Sequence, residues 1–161
     1  MMKLKHVIRS EKEVISYGRW SNGDIDRALW PLRRKKLKFS PDWQWRVVSL
    51  RAGDQELRVL LQLNPLLEKF HAMLGEVRAD QLAVLCSHDL HTSHSNWHCH
   101  VATGEIERVL PGVTRDRDTF RFWPSYTGEC TVEFDVTPHK AMMIASELYR
   151  FAAPAQGEMI V

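Results

Sequence analysis

Alternating apolar and polar positions predict a β-hairpin in the first half of the chain. Residues 43–50 (WQWRVVSL) and 56–63 (ELRVLLQL) are rich in Trp, Val and Leu, as β-strands commonly are. Between them, Ala-Gly-Asp at 52–54 has the composition of a tight turn. The pattern therefore predicts two antiparallel strands joined by a short connection.

Two later segments have the apolar spacing of helices. Asn-Pro at 64–65 is typical of a helix start, residues 65–74 (PLLEKFHAML) carry apolar side chains at helical spacing, and Gly75 is typical of a helix end. Thr-Pro at 137–138 is a second start signal, and residues 139–153 have a strong amphipathic pattern. We therefore expect one helix after the hairpin and one near the end of the chain.

Short apolar runs predict the remaining strands, at 80–86, 96–104, 119–125 and 129–136. Strands that follow one another with few intervening helices favour antiparallel pairing. The sequence thus predicts an α+β fold, in which an antiparallel β-sheet carries helices packed on one face. The ferredoxin-like sandwich is one arrangement of this class.

The length of 161 residues predicts a single domain. We assign residues 1–40 to a mixed, basic N-terminal segment, 41–153 to the α+β core and 154–161 to a loose tail. The net charge of +2 favours neither nucleic acid nor a membrane as partner, and no apolar run approaches the roughly 20 residues that cross a bilayer. Three cysteines are too few for a disulfide framework, which favours a cytoplasmic location.

Residues 86–100 (CSHDLHTSHSNWHCH) concentrate the histidines of the chain, with five of the eight. On a strand, His98 and His100 would share one face, about 7 Å apart, while Cys99 points to the other face. Both imidazoles could then reach one Zn, Mn, Ni or Co ion. The candidates for a third ligand are His88, His91, His94, Cys86 and Asp89. The alternative is a surface loop whose histidines bind no metal.

The arrangement of His91, His98 and His100 resembles the three-histidine motif of HUH endonucleases, particularly plasmid mobilisation relaxases, over residues 80–104. The resemblance implies a divalent metal ion and transesterification of a single DNA strand. It implies His98 and His100 as the strand pair and His91 as the upstream ligand, with His88 or His94 as substitutes. Two features depart from the motif, namely Cys99 between the paired histidines and the segment SHSNW before them.

The family's nucleophile is a tyrosine, and two tyrosines are candidates for this role. Tyr149 occupies a position that resembles Rep-type and single-tyrosine transposase members, whereas Tyr17 would suit the relaxase order. An aromatic residue on an amphipathic helix also packs commonly into a core, which is the alternative role of Tyr149.

A basic cluster near tryptophans is the second candidate for contact with nucleic acid. Basic side chains neutralise phosphates, and aromatic rings stack on unpaired bases. The candidate residues are Arg33, Arg34, Lys35, Lys36, Lys38, Trp43 and Trp45. A solvated basic segment before a strand explains the same pattern.

The function that these features predict is metal-dependent cleavage or strand transfer of single-stranded nucleic acid, with a tyrosine or water as attacking group. Two alternatives remain open. One is a non-catalytic phage, plasmid or defence-associated protein that binds a nucleic acid or protein partner through its basic, Trp-rich face. The other is a ribonuclease toxin whose histidines act as acid and base without metal.

Overall fold

Eight strands form one antiparallel sheet in the computed structural model, which describes residues 3–32, 40–91, 98–115, 118–123, 133–155 and 157. The strands are β1 (Glu13–Ser16), β2 (Ser21–Asn22), β3 (Gln44–Ala52), β4 (Gln55–Asn64), β5 (Lys69–Arg78), β6 (Gln81–His91), β7 (His98–Ala102) and β8 (Phe120–Trp123). Two α-helices, α1 (Leu4–Arg9) and α2 (Pro138–Tyr149), and a 3₁₀ turn at Ile106–Arg108 complete the described elements.

The strand order is β1-β3-β4-β5-β6-β7-β8, and β2 also pairs with β3. From β3 to β8 each strand pairs with the next one along the chain, which is a meander. The predicted α+β class is confirmed, because the sheet is antiparallel and α2 packs on one of its faces. The chain order nevertheless differs from the βαββαβ order of a ferredoxin-like sandwich.

The helix predicted at 65–74 is wrong, since residues 69–78 form β5. The Asn64 side chain does accept a hydrogen bond from the Leu67 backbone N–H (3.0 Å), as a helix cap would. However, the chain completes a single turn and then reverses at Glu68, whose φ is 50°. The cap signal therefore belongs to a tight connection between β4 and β5, and the apolar residues that follow alternate along a strand.

The hairpin predicted at 43–63 is confirmed as β3 and β4. The helix predicted at 139–153 is confirmed as α2, but it ends at Tyr149, four residues before the predicted end, with Arg150 in the left-handed region as its C-cap. Thr137 caps α2, since its side chain accepts from the Lys140 backbone N–H. The strand predicted at 129–136 is not found in its described part, because residues 133–136 have no strand pairing. Neither described helix is long enough to cross a membrane, since the longer one has 12 residues and a bilayer needs about 20.

An extra residue in β6 reverses which side chains of that strand face each side of the sheet. Leu74 pairs with Cys86 and Gly75 pairs with Val84, so Leu85 is a β-bulge. After the bulge, Cys86 and His88 lie on the face covered by α2, and Ser87 and Asp89 lie on the opposite face. We call these the helix face and the metal face.

The helix face is held together by Tyr149 and Lys12. Tyr149 is fully buried, and its hydroxyl donates to the Ala72 carbonyl (2.9 Å), which fastens α2 to the centre of the sheet. The Lys12 ammonium donates to the carbonyls of Ile8 (3.0 Å), Ser10 (2.8 Å) and Tyr149 (2.8 Å). Lys12 thus links the C-terminal ends of α1 and α2, where carbonyl groups lack helical partners.

The two-residue turns between β3 and β4 and between β5 and β6 have left-handed backbone at equivalent positions. Gly53 (φ 58°) and Ala79 (φ 51°) are each the first residue of a two-residue turn, and only glycine adopts this region without strain. We expect Ala79→Gly to raise the free energy of unfolding by roughly 0.5–1 kcal/mol. Gly53→Ala should lower it by about 1 kcal/mol, although a methyl group there meets no atom within 4 Å. Urea unfolding of both variants would measure this, and changes of the same sign would contradict it.

Replacing Lys12 tests the link between the two helices. We expect Lys12→Met to lower the free energy of unfolding by about 2–3 kcal/mol, because buried carbonyls lose their donor. Burial, reinforced by Arg150, lowers the pKa of Lys12 from 10.5 to about 8. Between these values the unfolded chain keeps a Lys12 proton that the folded chain has released, so the contribution of Lys12 to stability should rise with pH there, against the fall expected from the raised pKa of Cys86. The difference in free energy of unfolding between wild type and Lys12→Met should therefore widen from about pH 8 to 10.5, whereas the difference between wild type and the exposed control Lys5→Met should stay constant.

Candidate metal centre

Strands β6 and β7 bring one carboxylate and two imidazoles together on the metal face. Asp89 pairs with His98 and Ser87 pairs with His100. Because alternate residues of a strand share a face, Asp89, His98 and His100 project to the same side. Their ligand atoms all lie within 4.8 Å of one another, which is close enough to bind one metal ion.

Both imidazoles face the same carboxylate oxygen. His98 Nε2 lies 3.5 Å and His100 Nε2 lies 3.7 Å from Asp89 Oδ2. The two rings are nearly perpendicular, with centroids 5.5 Å apart. The side chains of His98 and Asp89 are 9% exposed and that of His100 is 15% exposed. The cluster is therefore largely shielded from water, where a cation between these groups would be attracted strongly to the carboxylate.

The charge states of Asp89 and His100 suit metal binding. Burial alone would raise the pKa of Asp89, but the hydrogen bond from His71 and the nearby imidazoles outweigh it and hold the pKa below its ordinary value. Burial, together with the Arg115 guanidinium, lowers the pKa of His100 to about 4. At neutral pH the site therefore has an ionised carboxylate and a neutral His100 ring, the forms that coordinate metals.

His71 holds the carboxylate in place from the neighbouring strand. His71 pairs with Asp89 across β5 and β6, and its Nδ1 donates to Asp89 Oδ1 (2.6 Å). The Trp43 ring stacks on His71 with centroids 5.8 Å apart and an interplanar angle of 26°. Asp89 thus uses Oδ1 for orientation and keeps Oδ2 towards His98 and His100. Supporting hydrogen bonds of this kind fix a metal ligand and raise affinity.

Arg115 adds a positive charge beside the cluster. Its Nη2 lies 3.8 Å from Asp89 Oδ2, and its side chain is 44% exposed. The guanidinium therefore reaches from a loop to the edge of the cluster while remaining accessible to solvent. A cation in this position favours an anionic ligand next to the cluster.

The predicted metal and nucleophile residues are distributed over both sides of the sheet. His88 lies on the helix face, where its Nδ1 meets the Tyr149 hydroxyl at 3.0 Å. Tyr149 is fully buried there, and burial raises its pKa well above the ordinary value. Tyr17 follows edge strand β1, and its hydroxyl donates to the Ala152 carbonyl (2.6 Å). The structure therefore brings none of these three side chains to the group formed by His98 and His100.

The structure describes only some of the remaining histidines and of the residues predicted to contact nucleic acid. His91 ends β6, but its side chain is not among those described, and His94 lies outside the described residues. Trp45 is buried, and its Nε1 donates to the Gly23 carbonyl (2.9 Å). Trp43 is half-buried beside His71. The basic residues Arg33, Arg34, Lys35, Lys36 and Lys38 lie outside the described residues.

Sequence patterns did not indicate His71 and Arg115 as site residues. His71 was hidden because its segment was predicted to be a helix, although Phe70 and Ala72 alternate with the polar residues Lys69 and His71, as in a strand. Arg115 belongs to the charge-balanced run RDRD at 115–118, which carries no local signal of a site. Only tertiary structure brings this arginine to Asp89.

Comparison with known proteins gives no relative for this chain. No protein-family model, no curated protein and no solved structure matches it. The resemblance to HUH endonucleases therefore stays a prediction from the local sequence. What the structure adds is the geometry of Asp89, His98 and His100.

Replacing His71 and the ligand histidines tests the centre. We expect His98→Ala/His100→Ala to abolish binding of Zn, Mn, Ni and Co, and His71→Ala to weaken it by roughly 10–100-fold because Asp89 loses its orienting donor. Elemental analysis and calorimetric titration of the purified chain would measure both effects. His139→Ala, which removes an exposed imidazole on α2, should leave affinity unchanged. A wild-type chain that binds none of the four ions would contradict the metal centre.

Proposed function

We propose that the protein cleaves phosphodiester bonds of single-stranded nucleic acid with a divalent ion held by Asp89, His98 and His100. The observation that carries the proposal is the convergence of these three ligand atoms within 4.8 Å. Imidazole and carboxylate ligands suit Zn, Mn, Ni or Co. Three protein ligands leave coordination positions open, which is typical of a catalytic metal site, whereas structural zinc sites usually have four protein ligands.

A divalent ion and Arg115 would each stabilise negative charge on the phosphate of the substrate. A bound divalent ion supplies Lewis acidity, which polarises a phosphoryl oxygen. Arg115 can donate two parallel hydrogen bonds to the phosphate and stabilise charge that develops during cleavage. Its position beside Asp89 Oδ2 supports an anionic substrate at this edge of the site.

Water is the attacking group in this proposal. Tyr149 lies on the helix face, and its hydroxyl is hydrogen-bonded to the Ala72 carbonyl and to His88 Nδ1. The Tyr17 hydroxyl is bonded to Ala152 beside the opposite end of the sheet. The proposed enzyme therefore shares with HUH endonucleases the paired strand histidines His98 and His100, and differs in its nucleophile and in using Asp89 as third ligand.

A nucleic-acid substrate is supported by Trp43 and by the basic segment before it. Trp43 stacks on His71, and His71 is hydrogen-bonded to Asp89. Only the His71 side chain therefore separates the indole from the carboxylate. Aromatic rings next to a phosphate-binding site commonly stack on unpaired bases. Residues 33–38 precede Trp43 closely in the chain and would supply cations for the neighbouring phosphates.

A metal-independent ribonuclease is the second candidate, because His71 and Asp89 also form an acid–base pair. A 2.6 Å hydrogen bond between an imidazole and a carboxylate is the arrangement that orients a general base. This mechanism would need the same two residues and no ion. Sensitivity to a chelator separates the two mechanisms.

Cleavage of labelled single-stranded DNA and RNA would test the proposed reaction. We expect activity in the chain loaded with one of the four ions, loss of activity with chelator, and loss of both ion and activity in Asp89→Asn. Arg115→Ala should lower kcat/KM roughly 100-fold without weakening metal binding, because the arginine contacts substrate rather than the ion. Arg108→Ala, at an exposed arginine of the neighbouring turn, is the matched control.

Two results would contradict the proposed reaction. Cleavage that persists in chelator and is lost in His71→Ala would favour the metal-independent mechanism. A chain that binds its ion through His98 and His100 but cleaves neither DNA nor RNA would show that the centre has another role.

A further inference from the structure

A cavity of about 700 Å³ lies on the helix face, between α1, the end of α2 and strands β6 and β7. Its lining is mainly apolar and includes Leu4 and Ile8 of α1, Val101 of β7 and Leu148 of α2. The volume lies within the range of small-molecule sites, which are commonly apolar with a few polar groups. The sheet separates this cavity from the metal centre, because Val101 and His100 project to opposite faces.

The rim of the cavity is positively charged. Lys3, Lys5 and Arg9 line it from the N-terminal segment, and all three side chains are exposed. The one acidic residue among the described lining residues is Glu105, whose carboxylate lies 3.8 Å from Arg108. The cavity therefore offers an apolar interior beneath a rim with excess positive charge. This combination complements a molecule with an apolar chain and an anionic head group.

The inner end of the cavity is held by hydrogen bonds. His88 lines the cavity, and its Nδ1 lies 3.0 Å from the Tyr149 hydroxyl. That hydroxyl donates its proton to the Ala72 carbonyl, so it accepts from His88 Nδ1–H. These groups therefore fix one another to the central strands, and a wall that is already ordered lowers the cost of ordering side chains on binding.

We propose that this cavity binds a free aliphatic carboxylate, with its chain among Leu4, Ile8, Val101 and Leu148 and its carboxylate at Lys5 and Arg9. Burial of the chain supplies most of the binding free energy, in proportion to the apolar area removed from water. The rim cations select the anionic head group. Among the described residues the cavity shares none with the metal centre, so binding can be measured on metal-free protein.

Calorimetric titration of the 161-residue chain with dodecanoate, below its critical micelle concentration, tests the site. We expect saturable binding at one site, no detectable binding of butyrate, and weaker binding of dodecyltrimethylammonium. Lys5→Glu/Arg9→Glu should weaken dodecanoate binding roughly tenfold or more and strengthen dodecyltrimethylammonium binding, because attraction at the rim is reversed. Leu148→Trp should weaken both amphiphiles by filling the cavity. Arg19→Glu, an exposed charge reversal away from the cavity, should change neither affinity.

Several results would overturn this inference. Equal affinity for the anionic and cationic amphiphiles, unchanged by Lys5→Glu/Arg9→Glu, would indicate unspecific adsorption to apolar surface. Sedimentation with phosphatidylserine vesicles without binding of free dodecanoate would indicate a lipid-surface contact instead of a cavity ligand. Unchanged binding in Leu148→Trp would place the ligand elsewhere, and thermal unfolding of each variant would verify that it is folded.

Discussion

The single extra residue in β6 is the constraint on which the candidate site depends. Side chains alternate along a strand, so one inserted residue reverses the orientation of every residue that follows it. Leu85 has this effect, and it places Asp89 beside His71 on the metal face and His88 beside Tyr149 on the helix face. Without the bulge, His88 would take the place of the carboxylate, and Asp89 would be buried under α2.

Packing opposite the bulge is tight. Gly75 pairs with Val84, and a Cβ at Gly75 would lie 2.8 Å from the Leu82 side chain and 3.5 Å from the Trp30 ring. A side chain at position 75 would therefore displace the end of the Leu82 side chain, whereas the backbone places no demand for glycine, since its φ does not lie in the left-handed region. Residues 28–30 lie over this part of the metal face, where Arg58 donates to the backbone carbonyls of Ala28 and Leu29. The bulge is thus fixed by contacts on both sides of β5 and β6.

The two faces give neighbouring residues opposite chemistry. On the helix face, burial raises the pKa of Cys86 to about 12 and lowers that of His88, so these two side chains stay uncharged at neutral pH. On the metal face, His71 and the paired imidazoles outweigh burial and keep Asp89 ionised. An apolar cavity and a charged centre can therefore lie back to back, one residue apart in sequence.

Local sequence patterns predicted the elements whose signals are local. The hairpin of β3 and β4, the His98–His100 pair on β7 and helix α2 follow from alternation, from i, i+2 spacing and from a cap. The uninterrupted apolar run at 82–86 conceals the bulge, because every side chain in it is buried whichever face it occupies. From the sequence alone, Asp89 is therefore one of several candidates for the third ligand. Its pairing with β5 and β7 in the structure shows that its side chain projects to the metal face.

The error at residues 65–74 has a different origin. The capping interaction of Asn64 is real, but one turn of chain satisfies it as well as a helix does. The apolar residues that follow fit both a helix and a half-buried strand, and long-range pairing with β4 and β6 decides between them. His71 was hidden by the same ambiguity, which shows how one wrong element removes a neighbouring site residue from view.

The two oxygens of Asp89 explain how such a centre could couple metal binding to substrate binding. Oδ1 is bonded to His71, whereas Oδ2 faces His98, His100 and Arg115 at 3.5, 3.7 and 3.8 Å. In the proposed enzyme, a divalent ion at Oδ2 would take over the charge balance that Arg115 now provides. The arginine, on an exposed loop, would then be available to an anionic substrate. Ion and substrate would therefore favour one another's binding, as a shared coupling free energy requires.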